Sequence, residues 1–130
     1  MTAQRFGAGR LHHRVGWDRR ENAADGYGGT KSRYAEQFEC LASLVPLRGG
    51  EGVLAARLVG RQPFIVQVRA DSRTRLIAHG WRMREVRKGE WIGSGAGRRW
   101  SGTTYLVKSI TFSKDHSLFL DVLVESEGAV

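Results

Sequence analysis

The stretch Thr103–Glu125 reads TTYLVKSITFSKDHSLFLDVLVE and holds two apolar runs separated by Ser113-Lys114-Asp115-His116-Ser117. In the second run Leu118, Leu120, Val122 and Val124 share one parity, while Phe119, Asp121, Leu123 and Glu125 share the other. That is the period-two pattern of a half-buried strand. The first run, Tyr105–Phe112, is rich in β-branched and aromatic residues, which fit a pleated surface. Five polar residues make a hairpin connection of ordinary length. A lone hairpin is marginal in water, so the rest of the chain has to supply further strands.

Working outward, the chain supplies them. Leu11–Arg20 places Leu11, His13, Val15 and Trp17 on one parity and reads as a first strand. Glu21–Ser32 reads as a loop around Asp25-Gly-Tyr-Gly-Gly29, since glycine accepts positive φ without steric cost. Tyr34–Leu47 resumes as a strand in which Phe38, Cys40, Ala42 and Leu44 alternate with Glu39, Leu41, Ser43 and Val45. Pro46 lacks an N–H and ends the pairing or sits at an edge. Arg48–Gln62 is flanked by glycines and carries one or two helical turns around Val53, Leu54, Ala56, Arg57 and Leu58. Phe64–Ala70 reads as a strand, and Ile77–Val86, with Trp81 and Met83, as a shorter one. Arg87–Gly102, RKGEWIGSGAGRRWSG, is a glycine-rich, basic excursion leading into the hairpin.

About six short strands with little helix predict a mainly β fold, a small antiparallel β-barrel or sandwich with long loops. The expected layout is a flexible N-terminal arm over residues 1–10, then one β-barrel domain over 11–126, with loop excursions at 47–62 and 87–102.

The chain has 130 residues, with 21 Lys+Arg against 13 Asp+Glu, a net charge of +8 and a pI near 10.5. A surface so basic attracts polyanions through salt-sensitive fields, although arginine-rich composition by itself also serves solubility. Cys40 stands alone, so neither a disulfide framework nor a Cys-x-x-Cys metal site is expected. The first residues contain no apolar leader-like core, and no run approaches the roughly 18–20 apolar residues of a membrane span. The expectation is a protein made and kept in a cytoplasm, without membrane contact.

Motifs of catalysis and cofactor binding fail on their context. Gly93-Ser-Gly95-Ala-Gly97-Arg-Arg lacks the following helix that a dinucleotide fold requires. Gly26-Tyr-Gly-Gly-Thr-Lys31-Ser32 has Thr30 where a phosphate-binding loop needs glycine before its lysine. His12, His13, His79 and His116 are scattered, and neighbours on a strand point to opposite faces, so no metal site is expected. Cys40 reads as a small core residue. No enzyme reading and no cofactor has residues behind it.

One charged span remains. Arg57–Arg99 has eleven basic residues against three acids, with Trp81, Trp91 and Trp100 interleaved. Three readings stay open: a face stacking single-stranded bases, the lining of a channel for duplex DNA without sequence readout, or the anchors of a protein interface.

The order of signals also resembles a family. Gly9-Arg-Leu-His-His-Arg-Val15, the turn Asp25-Gly-Tyr-Gly-Gly29, and Leu41-Ala-Ser-Leu-Val-Pro-Leu-Arg-Gly49 followed by Glu51 resemble the phage head–tail joining proteins, over roughly Gly9–Glu125. Two features depart from that pattern: Gly16-Trp-Asp-Arg-Arg20 replaces the usual apolar run, and Arg87–Gly102 is longer than a short turn, as in a gene-transfer-agent or temperate-phage version. The resemblance implies a non-enzymatic head-closure or stopper-like virion protein, assembled in the host cytoplasm into a homo-oligomeric ring at the head–tail interface. Its implied partners are portal and adaptor proteins on the head side, tail terminator or tail-tube proteins on the tail side, and packaged DNA held without specificity. It implies that residues 47–62 project toward the channel or a neighbour. Val53, Leu54, Leu58 and Trp91 are the candidate interface residues, and Arg57, Arg61, Arg98 and Arg99 the candidates for facing DNA. The rival reading is a free, small-barrel nucleic-acid-binding protein that uses Trp81, Trp91, Trp100 and the surrounding arginines.

Overall fold

Alternation along the last strand sets the inside and the outside of the molecule. The computed structural model describes residues 11–24, 26–112 and 118–127. Among these, the elements run β1 (His13–Ala24), β2 (Thr30–Pro46), α1 (Glu51–Leu58), β3 (Pro63–Arg69), β4 (Arg82–Glu85), β5 (Trp91–Ile92), β6 (Arg99–Trp100), β7 (Thr104–Phe112) and β8 (Phe119–Ser126). On β8, Leu120, Val122 and Val124 are buried. Phe119, of the opposite parity, is buried as well, with the Arg69 guanidinium 5.8 Å from its ring centroid. Leu118, of the same parity as Leu120, precedes the strand and is exposed.

Every neighbouring pair of strands is antiparallel, in the order β1-β2-β3-β8-β7-β4, and β4 returns to pair with β1. The sheet therefore closes on itself as a small six-stranded barrel, which removes the open edges of a flat sheet. Its interior is filled by Val15, Trp17, Ala42, Val66, Val68, Met83, Tyr105, Val107, Leu120, Val122 and Val124. Phe64 meets Tyr105 edge-on at 5.5 Å, and the Trp17 Nε1–H donates to Cys40 Sγ at 3.3 Å. Cys40 is half-buried against this core, and burial raises its thiol pKa above the ordinary value.

Two bulges shape the wall. The register shifts between Trp17 and Asp18, and again between Val107 and Ser109. An extra residue reverses the parity beyond it. Thus Tyr105 and Val107 point inward, and after the bulge Ile110 packs on the core.

The first hairpin is longer than the sequence predicts. The expected loop Glu21–Ser32 is mostly strand, because pairing continues to Ala24↔Thr30. Charged pairs rather than apolar alternation line this extension: Glu21 accepts from Arg19 at 2.7 Å and lies 3.6 Å from Arg33 across the ladder. These contacts lower the Glu21 carboxyl pKa, the bond from Arg19 being the largest cause. Conversely, only Arg82–Glu85 of the expected strand Ile77–Val86 is strand. Ile77 and Trp81 instead belong to a connection whose side chains close over the core. The arm at 1–10 and the connection Ser113–Ser117 lie outside the described residues.

Candidate functional site

Both excursions leave the barrel at the same end. Pro46, at the end of β2, pairs with Phe64 near the start of β3, and Pro63 pairs with Glu125 at the end of β8. Tyr105 at the start of β7 pairs with Ser126, and Arg84 at the end of β4 pairs with Thr104. Residues 47–62 and 86–103 are therefore neighbours around one rim.

The first excursion carries α1. Gly49 and Gly50 enter it at φ 82° and 86°, in the left-handed region that suits glycine. It ends in a Schellman arrangement: the Arg61 N–H donates to Ala56 O at 2.9 Å, the Gly60 N–H to Arg57 O at 3.0 Å, and Gly60 has φ 82°. Glu51 in the first turn and Arg57 in the last suit the helix dipole. What the helix lacks is a buried side chain. Val53 and Ala56 are half-buried, whereas Leu54 is 55% exposed and Leu58 86%. At 100° per residue, Leu54, Ala55 and Leu58 form one stripe, so the apolar side of this helix is the side facing solvent.

The second excursion folds back along the barrel's outer wall. β5 and β6 form a two-stranded ribbon in which Trp91 pairs with Trp100, their rings edge to face at 5.3 Å. Beneath it lies Arg84, only 1% exposed although it points out of the barrel. Its guanidinium is 4.7 Å from the Trp91 ring and 5.1 Å from Trp100. Nε and Nη2 donate to the two oxygens of the buried Asp18 carboxylate at 2.8 and 2.7 Å, and Nη2 also reaches Glu36 at 3.2 Å. A second cation, Arg82, donates to Asp18 at 3.1 Å and lies over Tyr34 at 4.4 Å. Arg98 also sits 4.0 Å from the Trp91 ring and donates to Glu36 at 3.3 Å. Trp91 thus has two guanidinium groups close to its ring, and Glu36 bridges both cations.

Glycines make this stacking possible. A Cβ on Gly16 would lie 2.5 Å from Arg84 Nη2, and one on Gly89 2.7 Å from the Trp100 ring. On Gly102 it would lie 2.5 Å from the Lys88 carbonyl oxygen. The Trp100 Nε1–H is buried without a partner.

At the rim, where the second excursion leaves and rejoins the barrel, lies a polar cleft of about 550 Å³ lined by Glu85, Tyr105 and Glu127 among others. The Tyr105 hydroxyl donates to Glu85 at 3.2 Å. Burial, with the Glu85 charge beside it, pushes the Tyr105 pKa up to about 12. Among the described residues no three His, Cys, Asp or Glu side chains are grouped to hold a metal ion, and no helix is long and apolar enough to cross a membrane.

The profile of phage head completion proteins matches residues 6–127. The chain belongs to that family. A head completion protein is a structural component of the virion that acts in closing the phage head. The solution structure of protein SF1141 from Shigella flexneri 2a has a similar fold, with a TM-score of 0.60 at 14% identity over 94% of this chain and 97% of that one. A comparison with curated proteins gives no match.

In this head completion protein the predicted site residues fall into two groups. Val53, Leu54, Arg57 and Leu58 lie on α1 with Arg61 just after it, while Trp91, Arg98 and Arg99 lie on the folded-back ribbon. Arg57, Arg61 and Arg99 are exposed. Arg98 is held by Trp91 and Glu36, and Trp91 is half-buried with two guanidinium groups near its ring. The base-stacking face of the rival reading is not formed. Trp81 is 6% exposed in the core, and Trp91 and Trp100 spend their ring faces on each other and on arginine. Sequence reasoning missed Asp18, Glu36, Arg82 and Arg84. The one available signal was an acid directly after the inward-facing Trp17, in a strand otherwise flanked by arginines.

Proposed function

We propose that this head completion protein closes the DNA-filled head as a ring of identical subunits, seated below the portal and its adaptor, retaining the genome and presenting the surface on which the tail docks. The observation that carries this reading is α1, a capped helix that turns its apolar stripe to solvent. An isolated helix of eight residues is marginal, and helices in proteins gain most of their stability from packing an apolar face. Covering Leu54 and Leu58 contributes about 1.5–3 kcal/mol for each side chain fully buried. Subunit contacts then use Val53, Leu54 and Leu58, and the rigid ribbon around Trp91 gives a second, fixed contact at the same rim.

Arg61 and Arg99 supply positive charge toward packaged DNA, which needs phosphate contacts and no base readout, whereas Arg57 lies on α1 beside Leu54 and Leu58 and goes with the subunit contact. Arg98 contributes less, because Glu36 already neutralises it. The head side of the ring meets portal or adaptor proteins, and the other side meets tail terminator or tail-tube proteins. Subunits join the particle in the host cytoplasm once packaging is complete. Electron microscopy of particles made without this gene tests the reading. The expected result is free tails beside tailless heads, many of them emptied of DNA. Normal tailed, filled particles would overturn it.

A further inference from the structure

Two outer surfaces of this molecule with exposed apolar residues complement one another. One is the Leu54–Leu58 stripe. The other is the outward face of β2, β3 and β8, where the register sets Val45 beside Ile65 and Ile65 beside Leu123, with Ser43, Gln67 and Asp121 in the next row. Leu41 and Val45 are exposed there, and Ile65 and Leu123 half-buried. The outer face of an antiparallel sheet that meets only water is normally polar.

The polar row of this face is packed within the subunit around Gln67. Gln67 is 2% exposed and its Nε2–H donates to Asp121 at 3.0 Å, but Gln67 Oε1 and Ser43 Oγ are buried with no hydrogen-bond partner. Both atoms are sealed from solvent within the subunit, so the exposed apolar part of this face is Leu41 and Val45, with Ile65 and Leu123 half-covered beside them. The charges match as well. Asp121 and Glu125 lie on β8, and Arg69 on β3 has an aromatic contact with Phe119. Among the described residues, Arg57 and Glu51 of α1 and Arg69 make no ion pair within 4.0 Å, the bridges of the barrel being formed by other side chains. The helix thus offers a cation to a face with carboxylates and a carboxylate to a face with a cation.

We propose that α1 of one subunit docks on the β2–β3–β8 face of the next copy, with Leu54 and Leu58 covering Val45, Ile65 and Leu123, and Arg57 reaching Asp121. Helix and sheet face are different surfaces of one chain, so the contact is heterologous: each subunit gives a helix to one neighbour and receives one from the other. Such a contact closes into a ring where the rotation permits, and does not stop at a dimer. The inference rests on the ring reading above.

The test uses particles assembled with Val45→Cys/Leu54→Cys chains in a Cys40→Ser background, treated with a short bismaleimide. The expected result is a ladder of covalent multimers on a denaturing gel, with either single-cysteine chain remaining monomeric. Arg57→Asp and Asp121→Arg should each lower the yield of joined, filled particles by about tenfold or more, since like charges at a contact are strongly unfavourable, and the double reversal should restore it. Dimers from the Leu54→Cys chain alone would indicate helix-to-helix contact and overturn the proposal. So would particles that contain the double-cysteine chain only as monomer while the double reversal fails to rescue. If the unaltered chain were missing from finished particles, the ring reading itself would fall, which is a separate outcome.

Discussion

Arg84 gives up its hydration to lie under two indole rings, and Asp18 is what makes that position tolerable. A buried cation without a carboxylate is strongly unfavourable, and removing one partner of a buried pair costs about 3–5 kcal/mol because the other is left uncompensated. Replacing Arg84 with Met keeps much of the bulk but leaves the fully buried Asp18 carboxylate facing only Arg82. The expected loss is about 3–5 kcal/mol of unfolding free energy, read as a lower denaturant midpoint at unchanged slope. A loss below about 1 kcal/mol, the range of ordinary surface changes, would show that the stack is not structural. At this scale the sequence is least legible. Trp81, Trp91 and Trp100 occur in one basic run, yet one fills the core and two cover Arg84. An arginine in such a run reads the same whether it is solvated or buried, because its partners, here Asp18 and Glu36, come from strands more than forty residues away in the chain.

The two excursions differ as elements. The β5–β6 ribbon is fixed to the wall by stacking and charge, whereas α1 is held by its caps and shows solvent its apolar stripe. Substituting Leu54 and Leu58 together with Glu should leave the stability of the isolated subunit within about 0.5 kcal/mol, as expected for exposed positions. The same change should remove the chain from finished particles, checked by gel analysis of purified virions. Unimpaired incorporation would mean that the stripe is not covered on assembly. Much at this scale was readable. Glycines on both sides of Glu51–Leu58 announced a short element set off from the barrel, and the alternation in β2, β3 and β8 placed their inner faces. The far half of the first hairpin was not readable, because its pairs are Glu21 with Arg19 and Arg33 rather than apolar residues in alternation. Nor was the bulge after Val107, since one inserted residue leaves composition unchanged while it reverses parity.

For the molecule as a whole, closure of the barrel brings both excursions to one rim. The sequence pointed to a small mainly β fold through its spacing of short strands, but the closing pair β1–β4 joins segments about seventy residues apart in the chain, with partners such as Trp17↔Met83. Only the three-dimensional register shows that the helix and the ribbon share an end, and the sequence order alone would have left them unrelated. At that shared rim one element exposes an apolar stripe and the other is stacked against the wall, which is the basis of the proposed assembly role. The central claim is that the subunit is completed by its neighbours at the head–tail joint, and electron cryomicroscopy reconstruction of that joint in finished particles tests it most directly. The account predicts a ring of copies between portal and tail in which Leu54 and Leu58 are covered by protein. Copies elsewhere in the particle, or a ring whose α1 stripes stand in open solvent, would contradict it.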